Sequence, residues 1–148
     1  VTTQAMTPES ARPRSAPTGR PAHMTATPVR VAAAASVLAG LIHYAVIPEH
    51  RGEWWGYAIF FTLLGAFEIV WAVAAWTGGR RVMFLGVLVN VAVLIVWTLS
   101  RTTGIPIGPH AAAPEPYGAL DVICGVAEIV TIGAILIALR GRRPVPGL

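Results

Sequence analysis

The sequence predicts an all-α protein: a bundle of four transmembrane helices, N-in/C-in, behind a disordered N-terminal tail. Four apolar runs, Val31–Ile47, Trp55–Trp76, Val82–Leu99 and Tyr117–Leu139, fill almost all of the chain after residue 30. Each meets or approaches the roughly 20 apolar residues that one helix needs to cross a bilayer. Hydrophobic residues make up 55% of the chain and charged residues 12%, against the roughly 25% charged typical of soluble domains. A length of 148 residues suits one small membrane domain with no separate soluble domain.

The elements follow in order. Residues 1–28 are rich in Pro, Thr, Ala and Arg and nearly free of large apolar side chains, the composition of a disordered segment. They are expected to form a cytoplasmic tail, and Met24 is a second candidate for the start of translation. The transmembrane domain is expected over 29–143, and residues 144–148 form a short cytoplasmic tail. The first helix is read as a retained span, because IPEHRGEWW offers no small-residue cleavage site after it. Pro48 is expected to end that helix and open the second, with Glu49 in its first turn. Gly78 and Gly79 close the second helix in a tight TGGRR hairpin. The third ends near Arg101, before TTGIPIGP, and Thr102–Pro116 is the longest connection. The fourth stops at Gly141.

The charges set an orientation. The chain contains no lysine, and nine of its eleven basic residues, Arg12, Arg14, Arg20, Arg30, Arg80, Arg81, Arg140, Arg142 and Arg143, fall on one side of a four-span chain. The positive-inside rule makes that side cytoplasmic, in the plasma membrane. Arginines beside membrane spans are topological, so the net charge of +4 is not the footprint of a nucleic-acid binder. Tyr44, Trp54, Trp55, Trp97 and Tyr117 lie near the outer ends of the spans and Trp76 marks an inner one, as in an aromatic belt.

Function is sought in the polar residues that lipid should reject. His43, Glu68, Asn90, Arg101, Asp121 and Glu128 sit inside the apolar runs or at their ends, and a charge at mid-bilayer costs about 2.5–3.5 kcal/mol on insertion scales. Helical spacing gives each helix one inward side: Ala32, Ser36, Gly40 and His43; Glu53, Tyr57 and Glu68; Asn90, Trp97 and Arg101; Asp121 and Glu128. Depth sorts them into two layers. In the outer layer His43, His50, Glu53 and Asp121 form a candidate site for a divalent transition metal (zinc, copper or iron) or for exchange of protons, since imidazoles with carboxylates suit such ions. His110 is a further outer candidate. The bland reading has Glu49 capping a helix, His50 and Glu53 solvated, and His43 bonded to backbone. Near the midplane Glu68, Asn90 and Glu128 form either a proton relay or a neutral hydrogen-bond network that fixes helix register. Arg101 and Asp121, at similar depth, are expected to form a structural ion pair. The single cysteine, Cys124, is read as a small apolar filler.

HYAVIPEHRGEWW, an intramembrane glutamate, WTLSRTTGIPIGP and GALDVICGVAEI together resemble uncharacterised small four-helix integral membrane proteins of high-GC bacteria. The resemblance spans about Val31 to Leu139. It implies the architecture and supplies no catalytic residue, since that group has no assigned activity. Three function classes follow: a metal- or proton-handling membrane protein, a non-catalytic accessory or structural subunit, and a membrane-embedded metal-dependent enzyme. No Walker loop, GxSxG elbow, HExxH or dinucleotide fingerprint occurs, which argues against the commonest ATPases and hydrolases. The lipid bilayer is the expected partner, and a transport role for so few helices would require a homo-oligomer or a larger membrane partner.

The orientation is tested by cysteine labelling in a Cys124→Ala background. An impermeant reagent applied to intact cells is expected to label Ala112→Cys and to leave Gly79→Cys unmodified. Labelling at position 79 overturns the assignment.

Overall fold

The computed structural model describes residues 26–141, and all of its regular secondary structure is helical. The helices are α1 (Ala26–Glu53), α2 (Trp55–Thr77), α3 (Arg80–Thr102) and α4 (Ala119–Arg140), with no strand among the described residues. Each is long and apolar enough to cross a membrane. Most of the expected N-terminal tail and all of 144–148 lie outside the described residues, as do Arg12, Arg14, Arg20, Arg142 and Arg143.

Helix α1 differs from expectation at both ends. It begins at Ala26, so Thr27 and Pro28, assigned to the tail, form its first turn. A proline is tolerated there because first-turn N–H groups have no intrahelical acceptor. At the other end α1 runs through Pro48 to Glu53, which corrects the expected break before Pro48. Proline removes one backbone bond and crowds the preceding turn, at about 3 kcal/mol or more. Ending the helix there would free several further backbone groups, which an apolar surrounding penalises more heavily. The chain instead reverses at Trp54, which is extended (φ −163°, ψ 134°). Its N–H donates to the His50 carbonyl at 2.9 Å, and its own carbonyl accepts from Tyr57 N–H at 3.1 Å. His43, His50 and Glu53 therefore share one helix, and their spacing of seven and three puts them on one face.

The other ends follow local chemistry. Gly78 N–H donates to Ala74 O at 2.7 Å, and a Cβ at Gly78 would lie 2.6 Å from that same oxygen, so the hairpin into α3 is too tight for a side chain. Helix α3 closes on Leu99 O, which accepts from Thr103 N–H at 3.0 Å and Gly104 N–H at 2.9 Å. Gly104 (φ 75°) takes the left-handed conformation common just past a helix end. Helix α4 opens with the Gly118 N–H donating to Asp121 Oδ2 at 2.9 Å, the reach-back half of a capping box.

Helix α1 is the centre of the packing. It lies along α2 and α4, α3 leans on α4, and α2 and α3 touch only sparsely. The α1–α2 contact is a close backbone approach. A Cβ at Gly40 would lie 3.0 Å from Gly65 O, and one at Gly65 would lie 3.0 Å from Gly40 O. Small residues at such a crossing let two helices meet at backbone distance. Ala32, Ser36, Gly40 and His43 are all buried along this side of α1. At the end bearing the α2–α3 hairpin, Val29, Ala32, Trp71, Ala75, Met83 and Ile135 form an apolar core. Trp71 Nε1 donates to Val82 O at 2.8 Å, and its ring fills the space a Gly86 side chain would take, 2.4 Å from that Cβ. Outward positions such as Val70, Val73, Leu88 and Ile129 remain more than half exposed, a surface suited to lipid.

Candidate functional site

Three groups of polar side chains are stacked along the axis, from the middle of the helices to the end that carries the long α3–α4 loop. The first joins α1, α2 and α3. The Ser36 hydroxyl touches the Glu68 carboxyl at Oε2 and lies 2.9 Å from the Glu68 backbone carbonyl. Asn90 Nδ2 donates to Glu68 Oε1 at 3.2 Å and to Gly86 O at 3.0 Å. Ser36, Glu68 and Asn90 are all fully buried. Buried polar groups are tolerated when bonded in this way.

The second group joins α1 to α4. His43 Nε2 lies 3.3 Å from Glu128 Oε1 and 3.7 Å from Cys124 Sγ. All three residues are buried, and one donor atom from each falls within 4.8 Å of the others. The spacing on α4 makes this possible, because residues four apart stand one above the other on a helix. Gly40, one turn before His43, brings α1 against α2 at Gly65. Glu128 Oε2 is buried with no hydrogen-bond partner.

The third group is centred on Arg101. Its Nη2 lies 2.8 Å from Asp121 Oδ2 and its Nη1 2.9 Å from Glu115 Oε2. Nη1 also donates to the Pro116 carbonyl at 2.8 Å. The guanidinium thus pins both the returning loop and the first turn of α4, in the fork geometry that makes arginine suited to two carboxylates. Between the second and third groups lies a cavity of about 90 Å³, walled mainly by apolar side chains of all four helices. His43, Cys124 and Glu128 line its deep end, and Arg101, Glu115 and Asp121 line its loop end.

The expected outer metal set, His43, His50, Glu53 and Asp121, does not gather as one ligand group among the described residues. Phe61 is the physical reason for His50: its ring stacks on His50 at 4.5 Å and on His43 at 5.7 Å, between the two imidazoles. His50 Nδ1 is instead 3.1 Å from Glu53 Oε2, near the surface. Asp121 Oδ2 is engaged by Arg101 and by the Gly118 N–H. Of the expected midplane set, Glu68 and Asn90 are bonded to each other, while Glu128 turns to His43. Cys124 stands beside His43 rather than serving only as apolar filler. Its place on α4 between Asp121 and Glu128 is legible in the sequence, but its partner on α1 is not. Ser36, expected only as one of the small inward residues of the first helix, and Glu115 of the α3–α4 loop are further participants.

A double-mutant cycle checks the Arg101–Asp121 contact. Arg101→Gln is expected to destabilise the protein more than Asp121→Asn, because the first leaves two carboxylates unpaired and the second leaves Arg101 with Glu115. The double variant should recover about 0.5–3 kcal/mol of the summed loss in thermal or denaturant unfolding. Strictly additive effects would show that the two side chains are energetically independent.

Comparison of this chain with protein families, with curated proteins and with solved structures gives no match.

Proposed function

We propose that this is a multi-pass plasma-membrane protein, a four-helix bundle with both termini cytoplasmic, that binds one divalent transition metal through His43, Cys124 and Glu128. The observation that carries the reading is the convergence of an imidazole nitrogen, a thiol sulfur and a carboxylate oxygen on two neighbouring helices. Tetrahedral zinc with bonds of about 2.0–2.3 Å has nitrogen–oxygen and nitrogen–sulfur edges of about 3.4 and 3.6 Å. The corresponding separations here are 3.3 and 3.7 Å. A neutral imidazole, a thiolate and a carboxylate also carry two negative charges between them, which balances a divalent ion in an apolar setting. The unpartnered Glu128 Oε2 gives the carboxylate a second oxygen for the ion. Soft sulfur with nitrogen favours zinc or copper over magnesium or calcium. Three protein ligands beside a cavity is the pattern of zinc sites that keep one position open, where the metal supplies Lewis acidity.

Elemental analysis of detergent-purified protein is expected to find about one zinc or copper ion per chain. Cobalt substitution should give a thiolate-to-metal charge-transfer band that disappears in Cys124→Ser. His43→Ala and Glu128→Ala should lose stoichiometric metal, whereas His50→Ala and Asp121→Asn should keep it. A wild-type protein free of metal, and unable to take up cobalt, would leave the accessory-subunit reading as the better account.

A second reading concerns Glu68. Ser36 has one hydroxyl proton and two neighbouring acceptors, the Glu68 carbonyl and carboxyl. Both contacts are satisfied when Ser36 donates to the carbonyl and a protonated Glu68 donates to the Ser36 oxygen, leaving Oε1 to accept from Asn90. We read Glu68 as the proton-holding member of the midplane group. Infrared difference spectra should contain a protonated-carboxyl carbonyl band at neutral pH that Glu68→Gln removes. Its persistence in that variant would assign the band elsewhere and leave Glu68 ionised.

A further inference from the structure

The cavity contains hydrogen-bonding capacity that the protein itself does not use. Arg101 Nε and Trp97 Nε1 are both buried without a partner. The Arg101 side chain is 93% buried, from a relative exposure of 7%. The two residues are four apart on α3, so they stand one above the other on the same face, and both line the cavity. An orphaned buried donor costs about 1–3 kcal/mol, and two beside one cavity mark a place where something accepts from them.

The charge balance narrows the class. Arg101 is already shared between Asp121 and Glu115, and Glu128 also lines the cavity. His50 and Glu53 pair with each other nearby. With two carboxylates already on the one guanidinium and a third carboxyl lining the same cavity, a further anion would be repelled. A cation would need acceptors, yet the free groups at the loop end are donors. What remains is a neutral molecule with an accepting oxygen. The walls agree, because Phe60, Phe61 and Leu64 of α2 face Val93, Leu94 and Trp97 of α3 across the space.

The route of entry is also constrained. The α3–α4 loop roofs the cavity from the end: Tyr57 Oη donates to Ile107 O at 3.0 Å, Ala112 N–H to Ile105 O at 2.9 Å and Glu115 N–H to Ser100 O at 2.9 Å. Helices α2 and α3 scarcely touch. Of the wall residues between them, Phe60 is 40% exposed and Leu94 also borders a shallow groove on the outward side of α3. We propose that the cavity holds the head of a neutral, carbonyl-bearing apolar molecule taken from the bilayer between α2 and α3, its oxygens accepting from Trp97 Nε1 and Arg101 Nε. This inference does not depend on the metal reading.

Calorimetric titration of the full chain in detergent, with and without prior chelator treatment, tests it. The probes share a ten-carbon tail and differ in the head: decyl-benzoquinone, monodecanoylglycerol, decanoate and decylbenzene. Saturable binding is expected from at least one of the two carbonyl probes, and the tighter of them assigns a quinone-type or an ester-type source. Trp97→Phe keeps the ring contact and removes the N–H, and should weaken that binding about two- to tenfold. Val93→Phe, which fills the α2–α3 wall, should weaken it as well and guards against a folding defect in the first variant. No saturable binding of either carbonyl probe would indicate that only water meets the donors. That result overturns the proposal, as would tighter binding of decanoate, equal binding of decylbenzene, or unchanged affinity in both variants. Loss of metal without loss of probe binding would separate the failure of the metal reading from failure of this one.

Discussion

The polar interior depends on the backbone contact between α1 and α2 at Gly40 and Gly65. With a Cβ on either residue only 3.0 Å from the opposing carbonyl, the helices are as close as they can be without side chains between them. That approach lets a side chain as short as Ser36 reach Glu68. The same crossing carries His43, three residues beyond Gly40, to the junction of α1 and α4, where it meets Glu128 and Cys124. In an apolar surrounding each of these groups would be costly alone. Close approach makes them tolerable by giving most of them partners inside the protein.

The two ends of the molecule solve the packing problem differently. At the hairpin end, Trp71 fills the gap between α2 and α3, and the absence of a side chain at Gly86 makes room for its ring. The core there is apolar. At the loop end Tyr57 of α2 is bonded to the loop at Ile107, and Arg101 of α3 ties Glu115 and Asp121 together. The cavity lies at this end, lined by residues of all four helices. The unpartnered atoms follow the same division: Trp97 Nε1, Arg101 Nε and Glu128 Oε2 belong to residues around the cavity, and Asn90 Oδ1 lies in the polar layer.

How much of this is legible in the sequence depends on how local the determining physics is. The four helices are legible because hydropathy is summed over some twenty residues and no single residue can overturn it. The turn between α1 and α2 is not, because it sets one proline's local cost against the backbone bonds of the whole segment. Pro48 is the evident punctuation mark, yet the chain turns at Trp54. The polar residues are legible as a class, since each is costly in lipid, and spacing along one helix identifies their faces. Partners on different helices are not legible. Nothing in the spacing of α4 says that Cys124 and Glu128 meet His43, or that Phe61 stands between His43 and His50. Those outcomes are set by the crossing of α1 with its neighbours, which the small-residue stripe announces without fixing its register.

The position of Cys124 illustrates why such register matters. A cysteine in an apolar helix is most often a small hydrophobic residue, and its own helix gives it no other role. Beside an imidazole and a carboxyl it becomes the sulfur of a mixed donor set. One helical turn separates Glu128 from Cys124, and roughly one more separates Cys124 from Asp121, which is engaged by Arg101. Helix α4 therefore presents three consecutive functional levels on one side: a carboxyl bound to histidine, a thiol against the same ring, and a carboxylate that locks the loop. Moving α4 by one turn relative to α1 would set His43 against Cys124 and Asp121 instead. Arg101 ties α4 to α3 while His43 meets α4 from α1, so one side of α4 carries both the loop-end ion pair and the deeper cluster.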